Sequence, residues 1–203
     1  MGTLFVDKLD PQSGTSLEIG SSGDTVTIPS GATITNSGTA SGFGGITQAD
    51  LWRLSTTFSI PSTNTNTDLT SNWERADDAT QSGYIGSGMS QSSGIFTFPE
   101  TGIYQIRFNA FFTAASAHYV AVRIFGTPDN SAYDQLATAE QGLADTSGGT
   151  DYTNLNAACH FDCTNTSTHK VKFTVYTTAS STNVYAESTS NATYVTFLRL
   201  GDT

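Results

Sequence analysis

Charge is scarce in this chain: only 13% of its 203 residues are Asp, Glu, Lys or Arg. Eight are basic and 18 acidic, a formal net charge of −10 at pH 7. Affinity for nucleic acid comes from clustered Lys and Arg meeting phosphates, and eight scattered cations do not supply it. No apolar run approaches the ~20 residues of a membrane span, so no membrane insertion is expected. The first residues hold no basic segment followed by an apolar one, the pattern of a secretory signal peptide. Cysteine, methionine and tryptophan are down to two residues each, and histidine to three. Amphipathic helices would need abundant Leu, Glu, Lys and Ala; the chain is instead rich in Ser, Thr, Asn and Gly, the material of short strands and polar turns. Almost no helix is expected.

The most informative stretch runs from Gly94 to Phe112. Ile95 to Phe98 is a short aromatic and β-branched strand, and Pro99 then removes a ladder donor. Gly102 supplies backbone freedom before Tyr104. From there Tyr104, Ile106, Phe108, Ala110 and Phe112 fall on one face at period two, with Gln105, Arg107 and Asn109 opposite. This is the pattern of a half-buried strand in an antiparallel sheet.

Gly94, Phe96, Pro99, Gly102 and Tyr104 together spell Gly-x-Phe-x-x-Pro-x-x-Gly-x-Tyr, which resembles the signature of the jelly-roll head of tumour necrosis factor and the complement first component's q subunit. Residues 183–188 and 194–200 resemble that family's last two strands. The resemblance implies a two-sheet antiparallel jelly roll that assembles as a tight homotrimer. A second resemblance rests on the opening residues 4–20 and on Trp52-Arg53-Leu54. These resemble small structural proteins of marine tailed bacteriophages, described as fibre-like. That resemblance implies a virion protein, assembled in the host cytoplasm.

Residues 1–45 differ in composition from the rest. Leu17-Glu18-Ile19, Thr25-Val26-Thr27-Ile28 and Ala32-Thr33-Ile34-Thr35 alternate with Gly-rich or Pro-containing turns. Each buries too little to be stable alone, so the reading is a β-stalk wound around symmetry mates, which would also anchor the chain to other virion proteins. A flexible linker is the alternative. Gly38 to Gly45 reads as a hinge, and 46–203 as the head. Within it, 52–60 reads as the first strand, stopped by Pro61, and 64–68 as a polar loop. Trp73-Glu74-Arg75 follows as a brief strand, then a loop through Gly83, Gly86 and Gly88. Strands at 119–125, 134–140, 154–161 and 170–176 precede the closing pair. Turns are expected at 128–130, 147–149 and 164–168, giving a roll of eight to ten strands. A sandwich of another topology is the runner-up.

The chain carries no recognisable catalytic motif. His118, His160 and His169 stand outside any nucleophile elbow, phosphate loop or His-Glu-x-x-His pair. Asp77 and Asp78 are adjacent, so on a strand they would face opposite ways, a poor start for glycosidase geometry. Cys159-His160-Phe161-Asp162-Cys163 invites a zinc reading. On an extended strand the two thiols share a face roughly 13 Å apart, too far for one ion or for a disulfide. A turn beginning at Asp162 would reopen both, so buried free thiols stand as the reading with disulfide and metal as alternatives. No Asp-x-Asp-x-Asp-Gly calcium loop is present. No cofactor and no metal are expected.

Tyrosines remain as contact candidates, since each offers a flat apolar face and a polar tip. Tyr84, Tyr133 and Tyr152 are the candidates for surface contact with a host glycan or protein. Tyr104, Tyr119, Tyr176 and Tyr194 read as core or three-fold-axis residues. The expectation is a non-enzymatic, trimeric fibre or capsid-surface decoration protein of a tailed phage. A trimeric carbohydrate-binding lectin module is the alternative, and a polysaccharide-degrading spike, which would need an acidic cleft, is a third reading.

Overall fold

In a computed structural model of the chain, the described residues are 9–11, 13–37, 45–76, 80, 83–115, 119–143 and 149–203. The chain divides into two units, Met1–Phe43 and Gly44–Thr203. His118, Asp77, Asp78, residues 4–8 and 12 of the opening fibre-like segment, most of the Gly-rich hinge and part of the 147–149 turn lie outside the described residues.

In the N-terminal unit, none of the three expected strands is a strand among the described residues. The reason is the lack of a partner: a strand needs a neighbour to take its backbone hydrogen bonds, and no two of these runs pair. What forms instead is a pair of tight turns. The Asp24 amide donates to the Ser21 carbonyl at 2.9 Å, and the Ala32 amide to that of Pro29 at 3.1 Å. The aliphatic side chains of Leu17, Ile19, Val26, Ile28 and Ile34 stay exposed, Ile19 by 65% and Val26 by 61%.

The second unit is all-β, with no helix among its described residues. Its strands are β1 (Ala49–Leu54), β2 (Thr56–Ser59), β3 (Thr67–Asp68), β4 (Trp73–Arg75), β5 (Tyr84–Ile85), β6 (Ser90–Ser92) and β7 (Ile95–Thr97). There follow β8 (Gly102–Ala114), β9 (Tyr119–Thr127), β10 (Asp134–Gly142), β11 (Asp151–Cys163), β12 (Lys170–Thr177), β13 (Asn183–Glu187) and β14 (Tyr194–Gly201). They form two antiparallel sheets. The eight-stranded one runs β2-β13-β8-β14-β1-β4, with β11 along the free side of β8 and β5 beside β1. The six-stranded one runs β10-β9-β12-β7-β6, with β3 beside β12.

Fourteen strands exceed the eight to ten expected. The additions β3, β5 and β6 are only two or three residues long and are held by neighbours' registers, so they are too short to leave an apolar alternation to read. The single strand expected over 52–60 is broken at Ser55, whose amide turns aside to the Asn72 carbonyl at 2.8 Å. Either side of that break, β1 pairs with β14 and β2 with β13.

The core lies between the sheets. β8 contributes Tyr104, Ile106, Phe108, Ala110 and Phe112, all 0–1% exposed. Facing them, Val120, Val122 and Ile124 of β9 and Val171, Phe173 and Val175 of β12 are also fully buried. Each such aliphatic or aromatic side chain contributes about 1.5–3 kcal/mol by burial. Phe96 sits at the centre, its ring centroid 5.3 Å from those of Trp73 and Phe197 and 5.4 Å from that of Phe173. β7 and β8 do not form a hairpin: β7 pairs with β12 and β6, so the 98–101 turn carries the chain from one sheet to the other.

Candidate ligand groove on the six-stranded sheet

Because β9 and β12 bury Val and Phe at alternate positions, the residues between them must face outward. On β12 these are Lys172, Thr174 and Tyr176, which pair with Phe125, Arg123 and Ala121 of β9. Outside this surface the chain from Ile60 to β3 folds over. The Asn64 amide donates to the Thr177 carbonyl at 2.8 Å, and Asn66 Oδ1 accepts from Arg123 Nη1. Asn64 has φ 58°, a left-handed conformation that Asn tolerates better than most residues. Between this loop and the sheet lies a groove of about 510 Å³. Its floor is Phe125, Lys172 and Thr174, with Tyr133 at one side and residues of the 61–68 loop at the other.

The groove's charges are already matched. Lys172 Nζ lies 2.8 Å from Asp68 Oδ2, and 4.9 Å from the centre of the Tyr133 ring. Beside it, Arg123 Nη2 is 3.5 Å from Glu140 Oε1, and its guanidinium lies 4.9 Å from the Tyr176 ring centre. Burial, and then the Asp68 carboxylate, push the Tyr133 phenol above its ordinary pKa. Its hydroxyl therefore stays protonated and able to donate. Three buried polar atoms here have no hydrogen-bond partner: Tyr133 Oη, Thr174 Oγ1 and Arg123 Nε. Thr174 as a whole is only 1% exposed. Leaving such a group unsatisfied costs about 1–3 kcal/mol, so three in one neighbourhood mark a place where stability has been given up.

The three candidate contact tyrosines are not brought together. Tyr133 borders the groove. Tyr84 is stacked under the Arg75 guanidinium, 4.3 Å from its ring centre, beside a depression on the eight-stranded sheet. Tyr152, 64% exposed, stacks on Phe111 at 6.0 Å, and Tyr185 meets the same ring edge-on at 5.6 Å. These last three form an aromatic patch on the outer face of the eight-stranded sheet. Phe125, Lys172, Thr174, Asp68 and Asn66 escaped the sequence reading. The alternation Lys172, Thr174, Tyr176 on one strand is visible, but its meaning depends on the β9 register and on a loop a hundred residues earlier.

The motif residues lie away from the groove. Gly94 has φ +76°, and a Cβ there would stand 2.1 Å from the Leu69 carbonyl oxygen. Gly102, at φ +145°, would place one 2.5 Å from Arg199 Nε. Tyr104 is buried, and its hydroxyl donates to the Glu100 carbonyl at 3.0 Å. Cys159 and Cys163 are unbridged on the inner face of β11. Burial pushes the Cys159 thiol up to about 11 and that of Cys163 in the same direction, so both stay protonated and unreactive. His160 is exposed, and the ring nitrogens of His169 meet the hydroxyls of Thr164 and Thr168, both at 3.2 Å. Among the described residues no three His, Cys, Asp or Glu side chains gather as metal ligands, and no helix is long and apolar enough to cross a membrane.

No protein-family model and no curated protein matches the sequence. Solved structures do match in fold. The TNF Eiger of S. frugiperda is similar at 14% identity and TM-score 0.57, over 76% of this chain and 93% of that one. Murine APRIL is similar at 12% identity and TM-score 0.53, over 75% and 98%. The head thus has the jelly-roll fold of TNF-like proteins. Identity this low speaks for the fold alone.

Proposed function

We propose that the chain is a non-enzymatic structural protein of a tailed-phage virion, a homotrimeric fibre or capsid-surface decoration. In this reading residues 1–45 are the stalk and anchor to other virion proteins. The head, 46–203, stabilises the particle or meets the host surface. The observation that carries it is the N-terminal unit, where Leu9, Leu17, Ile19, Val26, Ile28 and Ile34 stay on the surface and the β-branched runs find no strand partner among the described residues. Such a segment gains order by pairing with other copies, where the same runs meet in register. The exposed Phe111, Tyr152 and Tyr185 patch adds a surface on the head that a neighbouring subunit would cover.

The test is composition of the particle. Peptides of this chain should be found in purified virions at a copy number divisible by three, and deleting residues 1–45 should leave a folded head that is absent from them. Virions that lack the full chain, or that carry the truncated head at normal occupancy, contradict the reading.

A further inference from the structure

We infer that the groove over the six-stranded sheet binds one or two rings of a neutral saccharide. A sugar ring has an apolar C–H face and a rim of hydroxyls that both donate and accept. The groove offers the same division. Phe125 and the Tyr133 ring supply apolar surface on its floor and side. Thr174 Oγ1 and Tyr133 Oη are buried without partners, each able to donate and to accept. Asp68 and Asn66 accept on the loop side, and Lys172 donates from the floor.

Charge selects against an acidic sugar. Lys172 is already paired with Asp68 and Arg123 with Glu140, so an incoming carboxylate would have to compete with one already in place. The whole chain is also strongly acidic, at −10, and repels anions. The volume of about 510 Å³ lies within the range of small-molecule sites. Walls made mostly of hydroxyl, amide and charged groups suit a polyol rather than an apolar ligand. The inference gives the host-contact part of the proposed function a site and a chemical class, yet it stands on the head's geometry alone. Saccharide binding by a protein absent from virions would overturn that function and leave the site intact.

The experiment uses the full chain with methyl α-glucoside, methyl α-mannoside, methyl β-galactoside and their disaccharides, followed by saturation-transfer NMR and calorimetry, with sialyllactose as the anionic comparison. Saturable binding of at least one neutral glycoside, stronger than that of sialyllactose, is the expected result. Thr174→Val and Tyr133→Phe keep the side-chain shape and remove one hydroxyl each. Each should weaken binding about tenfold, the value of one hydrogen bond. Neither should lower Tm, because the hydroxyl it removes has no partner in the free protein. This combination of lost binding and undiminished stability separates a ligand site from a structural role. No saturable neutral glycoside, a preference for sialyllactose, or unchanged affinity in both variants overturns the inference.

Discussion

The hydroxyl of Tyr104 donates to the carbonyl of Glu100 at 3.0 Å, closing the turn that carries the chain from the six-stranded to the eight-stranded sheet. The ring itself packs in the core, 4.7 Å from that of Phe98. One residue thus fixes the turn from inside the barrel of side chains. Burial, then the charges of Glu100 and Cys163, push its phenol up to about 12 from 10.0. A raised pKa means that the folded state holds the proton more tightly than the unfolded one. Its contribution is complete below about pH 10 and is lost as pH rises towards 12. Tyrosinate absorbance of the native protein should include a step near 12, and Tyr104→Phe should reduce that step by one tyrosine. The same variant should lose about 1 kcal/mol of stability, one net hydrogen bond.

Phe108 is fully buried, with its ring centroid 5.1 Å from that of Phe173 across the core. Phe108→Ala should cost about 3–5 kcal/mol, since transfer and cavity terms add. Gln105→Ala, on the outer face of the same strand, should stay within about 0.5 kcal/mol. Thermal melts of the two variants make the comparison, and equal small losses would contradict the register of β8.

Gly94→Ala forces a Cβ against the Leu69 carbonyl at 2.1 Å in a backbone conformation at φ +76°. Backbone cannot move aside as a flexible side chain can, so the loss should exceed about 2 kcal/mol. Gly45→Ala is the control: nothing lies within 4 Å of that position, and its Tm should not fall.

Asp50, buried on β1, holds the loop between β5 and β6 in place. It accepts from Arg75 Nε and Nη2 at 3.0 Å, from Trp52 Nε1 at 2.9 Å and from the Met89 amide at 2.6 Å. Removing the carboxylate leaves the Met89 amide and Trp52 Nε1 without their acceptor and the partly exposed Arg75 without its counter-charge, at about 1–3 kcal/mol for each buried donor. Asp50→Ala should therefore lower stability as much as Phe108→Ala does. Hydrogen exchange should show the Met89 amide unprotected.

The longer strands were legible because their chemistry is local. The period-two set of β8 gives its inner face directly, and the Gly94 to Tyr104 spacing points to the TNF-like jelly roll. The break at Ser55 was not legible, because it depends on the Asn72 carbonyl, 17 residues on. β3, β5 and β6 were lost for the same reason, their hydrogen bonds being set by distant registers. The groove is the strongest case. Asn66, Arg123 and Thr174 belong to three separate segments, and only the β9–β12 register with the overlying loop brings them together. A single tyrosine, Tyr133, was nameable as a contact residue, and its partners were not.

The mass of the full chain in solution tests homotrimeric assembly most directly. Multi-angle light scattering at micromolar concentration should give about 64 kDa, three chains of 21.4 kDa closed by three-fold symmetry. A species of 21.4 kDa under the same conditions would contradict the stalk, the subunit contact at Phe111, Tyr152 and Tyr185, and the homotrimeric fibre itself.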